Sequence, residues 1–346
     1  MSNKLFSPFE LKSLKLKNRA VMAPMCQYSV TEKDGKPNEW HYVHYISRAI
    51  GGTGLIIMEM TDIDPDGRIT NYDLGLWSDD QIPAFSRIID QVHAYGTKIG
   101  IQIAHAGRKA EDAANPVAPS AIKFPDEGYK TPRALSTEEV KEMVQLFVDT
   151  ARRAVKAGVD MIEIHAAHGY LIHQFQSPLT NKRDDQYGED LSLFGREVIQ
   201  AVKKEIPSDM PLSVRITAVE YADGGYDLDH AIMLSKAYKE AGADILHVSS
   251  GGEGIPGERK PGNYPGYQVP FARKIREEVG IPVIAVGMLE KPAVAEAVIG
   301  NGDADLVAIA RGMLVDPYWS THAAIELRSK QLNVPKQYER GYHIKR

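Results

Sequence analysis

His165, His168 and Tyr170, three side chains able to share or move protons, fall within the segment 165–170, directly after the apolar run Met161-Ile162-Glu163-Ile164. An imidazole N–H can donate to a carbonyl oxygen, and a phenol can hand a proton to carbon. Together they suit polarising and protonating an unsaturated carbonyl compound. The same imidazoles also suit a metal ion, with His173 or Glu163 as a further ligand, although no third ligand stands at a compelling spacing. Structural histidines beside a loop are the plainest alternative.

Two more polar side chains interrupt apolar runs. Arg215 lies between Val214 and Ile216, and a guanidinium there is costly unless an anion or a very polar group meets it. An ion pair with Glu163 would answer that cost, and so would a ligand. Gln102 also lacks an evident partner, and an amide and a guanidinium facing one pocket could bind the carbonyl-rich edge of a heterocycle. Val286-Gly287-Met288 and Ala310-Arg311-Gly312 supply the glycine and the cation that a backbone phosphate site wants. Cys26 reads as an inert buried thiol, and Tyr28 as packing.

Short apolar runs must position these residues. They cover Arg19–Met25, Gly54–Thr61, Lys98–Ala104, Asp160–His165, Leu212–Thr217, Ile245–Ser249, Pro282–Gly287 and Asp305–Ala310. Amphipathic stretches at Asp79–Tyr95, Ser136–Ala157, Ser192–Glu205, Asp229–Ala241, Val269–Val279 and Lys291–Ile299 separate them. Near-continuous apolar strands argue for a parallel sheet covered on both faces. Ala157-Gly158-Val159-Asp160, Ala241-Gly242-Ala243-Asp244 and Asn301-Gly302-Asp303-Ala304-Asp305 repeat one helix-to-strand joint. Eight such units predict an α/β fold, a single (β/α)8 TIM barrel over residues 1–346, with polar strand ends on the catalytic face. A doubly wound open sheet is disfavoured because no Gly-x-Gly-x-x-Gly follows the first strand. The longer loops over 105–135, 166–190 and 250–268 fall on that same face. The tail over 334–346 is polar and extended, with Pro335 barring helix at its start.

Composition excludes other classes. A formal net charge of −5 over 346 residues gives no electrostatic footprint for nucleic acid. One cysteine rules out a disulfide framework and a thiolate zinc or iron–sulfur site. No segment suits a signal peptide or a membrane span, so a cytoplasmic enzyme is expected.

Put together, these segments resemble the old yellow enzyme family of flavin-dependent ene-reductases, in its bacterial NADPH dehydrogenase branch. The likeness runs from Leu5-Phe6-Ser7-Pro8 through Pro24-Met25-Cys26-Gln27-Tyr28, Gln102-Ile103-Ala104-His105-Ala106-Gly107-Arg108-Lys109 and His165-Ala166-Ala167-His168-Gly169-Tyr170 to Gln337-Tyr338-Glu339-Arg340-Gly341. The resemblance implies noncovalent FMN at the barrel mouth, reduced by NADPH or NADH, and then reduction of α,β-unsaturated carbonyl or nitro compounds in ping-pong order. By the same resemblance Ala23, Pro24, Met25 and Cys26 line the flavin, with Met60 and His165 close by. Gln102 meets its pyrimidine edge and Arg215 its N1/O2 side, while Gly287, Ala310 and Arg311 hold the phosphate. Cys26 tunes the flavin. His165 and His168 donate to the substrate carbonyl, Tyr170 protonates the α-carbon, and Tyr28 shapes the pocket. Arg340 joins it from a neighbouring subunit of a homodimer or homotetramer. The chain departs from the pattern at Ala310, where glycine is usual, at Met60, where smaller residues are common, and after Tyr187-Gly188, where it is shorter. A dienoyl-CoA reductase would carry iron–sulfur cysteines that are absent here. A metal-dependent barrel hydrolase and a flavin binder without turnover are the more distant readings.

Overall fold

The computed structural model describes residues 3–254 and 262–342. The expected loop over 250–268 and the tail over 334–346 therefore fall partly outside the described residues. Eight parallel strands form the barrel: β1 (Ala20–Met22), β2 (Leu55–Asp62), β3 (Lys98–Ala104), β4 (Met161–Ala166), β5 (Leu212–Thr217), β6 (Ile245–Ser249), β7 (Val283–Ala285) and β8 (Leu306–Ile309). Each pairs with the next, and β8 pairs with β1 to close the ring. Around it run α1 (Glu39–Ile50), α2 (Ile82–Ala94), α3 (Thr137–Ala157), α4 (Leu193–Glu205), α5 (Leu228–Ala241), α6 (Val269–Val279), α7 (Pro292–Gly300) and α8 (Trp319–Glu326). The predicted (β/α)8 barrel is the observed fold.

Side chains alternate along each strand with period two. Ile162 and Ile164 of β4, Val214 and Ile216 of β5, and Leu246 and Val248 of β6 turn outward into the apolar layer beneath the helices. The inward set begins apolar, with Leu55, Met161, Ile245 and Leu306 in one cluster. An N-terminal hairpin, Phe9–Leu11 with Leu14–Leu16, joins that cluster through Phe9, Leu14 and Leu16 and plugs the amino end. Towards the carboxyl end the inward set becomes polar: Gln102, Glu163, Ser213 and His247, then His165, Arg215, Thr217 and Ser249. A register shift between Met58 and Met60 breaks the alternation in β2. It turns Glu59 outward to Tyr45, whose hydroxyl donates to it at 2.8 Å, and puts Met60 among the residues of the mouth.

The repeated joint has a common chemistry. Asp160 accepts from Ile99 N at 2.9 Å and Lys98 Nζ at 2.7 Å. Asp244 accepts from Leu212 N at 2.9 Å and Lys203 Nζ at 2.5 Å. Asp305 accepts from Val283 N at 3.0 Å and Arg276 Nε at 2.8 Å. Each carboxylate ties its own strand to the one before it, and each takes a cation as well.

Two helices, α1 and α8, were not among the predicted elements. In α1 the pattern is mixed: His41, His44 and Arg48 are buried beside Tyr45, Ile46 and Ala49, whereas Trp40 is 57% and Val43 64% exposed. After the shortened stretch following Tyr187-Gly188 α4 still forms, and Asp190 accepts from Ser192 N at 2.9 Å and Ser192 Oγ at 2.6 Å just ahead of it.

Candidate active site

The end of β4 brings the three proton-handling residues together. The His165 ring lies 5.2 Å from His168 and 5.0 Å from Tyr170, edge to face in both cases. His168 has a left-handed backbone, φ 60°, a conformation in which His is among the few tolerated residues. The surrounding loop is tightly held. Thr217 Oγ1 accepts from His168 N at 3.0 Å, and Lys109 Nζ donates to His168 O at 2.8 Å. His173 Nδ1 accepts from Gly169 N at 2.7 Å, and Gln174 Nε2 donates to Gly169 O at 2.7 Å. His173 is thus spent on the backbone, with its other nitrogen 3.2 Å from Glu220, and does not join the histidine pair as a further ligand.

Protonation follows from the surroundings. Burial, reinforced by the Arg215 cation, holds both imidazoles well below the ordinary histidine range. Burial pushes the Tyr170 phenol well above its ordinary value, with Cys26 and Tyr28 adding to the shift. The pair is therefore neutral and the phenol protonated at neutral pH: two N–H donors beside one acid.

Arg215 pairs across the sheet with His165 on one side and His247 on the other. It forms no contact ion pair with Glu163, which is committed elsewhere. Glu163 accepts from Gln102 Nε2 at 2.8 Å and Ser213 Oγ at 2.9 Å, and lies 3.0 Å from His247 Nδ1. Two consequences follow. Gln102 has given its amide N–H to the core, so its carbonyl oxygen is left for a donor. Arg215 Nε is buried without a hydrogen-bond partner among the described residues, which suits a site built for something polar.

The rest of the predicted set lies around the same mouth. Ala23 to Cys26 continue β1, and Gln27 N donates to Glu59 at 2.6 Å to anchor them. Cys26, Met60 and Tyr170 meet in one apolar cluster with Ile69 and Ala104. Burial of the Cys26 sulfur, followed by the charges of Asp73, Glu59 and Asp62, pushes the thiol well up, so it is no thiolate. Tyr28 is 49% exposed, and burial of its hydroxyl beside Cys26 pushes the phenol above its ordinary value. Gly287 has φ 119°, and a Cβ there would meet Gln268 Nε2 at 2.8 Å. Ala310 has φ −97° and needs no glycine; Arg311 follows it, exposed. Arg340 is not brought to this mouth. The tail before it packs at the opposite end of the barrel, where Asn333 to Gln337 and the loops holding Lys17, Gly52 and Gly96 enclose a cavity of about 470 Å³.

Ser249, Thr217 and Lys109 have no role in the expected site, and Glu163 enters it only as a possible metal ligand or mate for Arg215. For the three strand residues a signal was present all the same, polar residues at every second position of otherwise apolar strands, whereas Lys109 follows β3 in the short turn Gly107–Lys109.

Comparison with known proteins agrees with this geometry. The model of the NADH:flavin oxidoreductase / NADH oxidase family matches residues 4–330. The NADPH dehydrogenase of Bacillus subtilis (strain 168) is 50% identical over 345 residues, covering 99% of this chain and 100% of that protein. The NADPH dehydrogenase of Geobacillus thermodenitrificans (strain NG80-2) is 49% identical, again over 99% of this chain and 100% of that protein. Morphinone reductase in complex with tetrahydroNAD superposes with a TM-score of 0.79 at 31% identity, covering 96% of this chain and 92% of the other. The chain belongs to the NADH:flavin oxidoreductase / NADH oxidase family, the old yellow enzymes, and is an oxidoreductase of that family.

Proposed function

We propose that this protein is an ene-reductase, using noncovalent FMN to reduce the C=C bond of α,β-unsaturated carbonyl compounds at the expense of NADPH or NADH in ping-pong order. When bound, FMN supplies a two-electron carrier between the nicotinamide and the alkene. The residues fit such a group: Gln102 offers a free carbonyl oxygen to a ring N–H, and the unpaired Arg215 Nε offers a cation to an electron-rich edge. Ala23, Pro24, Met25, Cys26 and Met60 would line the ring system, and Gly287, Ala310 and Arg311 the phosphate. A nicotinamide donor is supported by the tetrahydroNAD bound to morphinone reductase.

The observation that carries the reading is a neutral imidazole pair packed edge-on beside a protonated tyrosine. His165 Nδ1 accepts from Ala167 N at 3.3 Å, so its proton is on Nε2 and available to a carbonyl oxygen. With His168 as a second donor, the developing enolate is stabilised where its charge grows. Tyr170 delivers its proton to the α-carbon and recovers one from solvent. Tyr28 and Cys26 bound the pocket beside it.

The test is direct. Purified protein should be yellow, bleach on anaerobic NADPH addition and recover its colour with cyclohexenone. Protein that neither holds nor takes up FMN would end the proposal. Bleaching without recovery would leave a flavin reductase that is no ene-reductase. Arg340, distant from its own mouth, is proposed to reach the pocket of a second copy in a homodimer or homotetramer. Full activity from a monomer in dilute solution would refute that role.

A further inference from the structure

A neutral imidazole carries one N–H, and only the nitrogen that holds it can donate. For His165 the choice is made by a backbone amide, which has no alternative but to donate. For His168 the neighbour is a hydroxyl, which can give or take. Ser249 closes the inward face of β6 and places Oγ 2.7 Å from His168 Nε2. We propose that Ser249 is a positioning residue that donates to His168 Nε2 and thereby fixes the proton on Nδ1, the nitrogen left for the substrate carbonyl. The consequence for catalysis rests on the ene-reductase reading; the tautomer itself does not.

The direction of that hydrogen bond follows from the groups behind it. Gln268 Nε2 donates to Val286 O at 3.0 Å, which sets its amide and turns Oε1 towards the two serines. Ser250 Oγ donates to that oxygen at 2.5 Å, whereas Ser249 Oγ is 3.4 Å away from it. Among the described residues, the other acceptor near the Ser249 proton is thus Gln268 Oε1, beyond the usual O–H···O range and held more closely by Ser250. The imidazole nitrogen, at 2.7 Å, is the acceptor at normal hydrogen-bond distance, whereas donation to Gln268 would spend the serine proton on a 3.4 Å contact. No protein group among the described residues bonds His168 Nδ1. The backbone of residue 168 is held separately, by Thr217 Oγ1 and Lys109 Nζ. What Ser249 supplies is therefore proton placement, not support for the loop.

Nitrogen-15 NMR of the histidine-labelled holoenzyme reads the tautomer without any enone. His168 is assigned by the signals lost in His168→Asn. The wild type should show protonated Nδ1 and bare Nε2, Ser249→Thr should keep that pattern, and Ser249→Ala should lose it. Cyclohexenone turnover should fall about tenfold to a hundredfold in Ser249→Ala, below the 10²–10³ expected for deleting a donor outright, and recover in Ser249→Thr. A wild-type ring protonated on Nε2 overturns the proposal, as does a Ser249→Ala spectrum identical to wild type. If Ser249→Ala does not fold, the wild-type and Ser249→Thr spectra still decide. The predicted tautomer in a protein that reduces no enone would uphold Ser249 and defeat the ene-reductase reading instead.

Discussion

The two ends of the barrel are built on opposite rules. At the amino end Asp160, Asp244 and Asp305 each satisfy a backbone N–H and a cation, and the hairpin fills the floor with Phe9, Leu14 and Leu16. At the carboxyl end Arg215 Nε has no partner among the described residues, and His168, Tyr28 and Met288 hold left-handed backbones. One end spends its polar groups on itself; the other keeps them in reserve. Local energetic imperfection at the mouth is tolerable because the opposite end holds the strands in register, and such imperfection is where function is expected.

The contrast can be broken by measurement. The largest effect belongs to the mouth: replacing His165 and His168 together with Ala should cut cyclohexenone turnover by at least about 10²–10³, with flavin content retained. A variant keeping a tenth of its turnover would remove the histidines from the chemistry. Next, Arg215→Gln should weaken FMN binding about tenfold or more, at roughly 1.4 kcal/mol per tenfold, in a titration of the apoprotein. Its apoprotein should melt no lower than wild type, since an unpaired buried cation is a cost. A large drop in melting temperature would show that Arg215 is structural. At the other end, Asp244→Ala should lose about 1–3 kcal/mol in urea unfolding by orphaning Leu212 N, with kcat and KM of the folded fraction unchanged. A kinetic defect there would erase the division between the ends. Smallest of all should be the effect of pH. The histidines are neutral above a lowered pKa and Tyr170 is protonated below a raised one. Their working states therefore coexist from about pH 6.5 to pH 10, and the enone half-reaction should be flat across that window. A limb inside it would mean that another group titrates.

Much of this architecture was legible in sequence because burial on both faces leaves strands nearly all apolar. The joints were legible too, since glycine and aspartate recur around them. Helix α1 was not, because His41, His44 and Arg48 are buried beside Tyr45, Ile46 and Ala49 while Trp40 and Val43 face out. Hydrophobic periodicity is blurred where a buried face mixes polar with apolar residues and the outer face carries apolar ones. The site residues came through as interruptions, Arg215 and Gln102 among them. Glu163 was noticed as a possible mate for Arg215 but binds Gln102, Ser213 and His247. Partner choice depends on neighbouring strands, and one strand read alone does not contain it. Ser249 escaped because a lone serine at a strand end is unremarkable until the imidazole opposite it is seen.

The left-handed backbone of His168 also limits what can replace it. At φ 60° a β-branched side chain is strained, whereas Asn, Asp and His are enriched there. Of those three, only His and Asn can present an N–H donor without carrying charge. Backbone conformation and chemistry together therefore favour those two residues at this position. Drift at residue 168 should pass through asparagine or leave the chemistry behind.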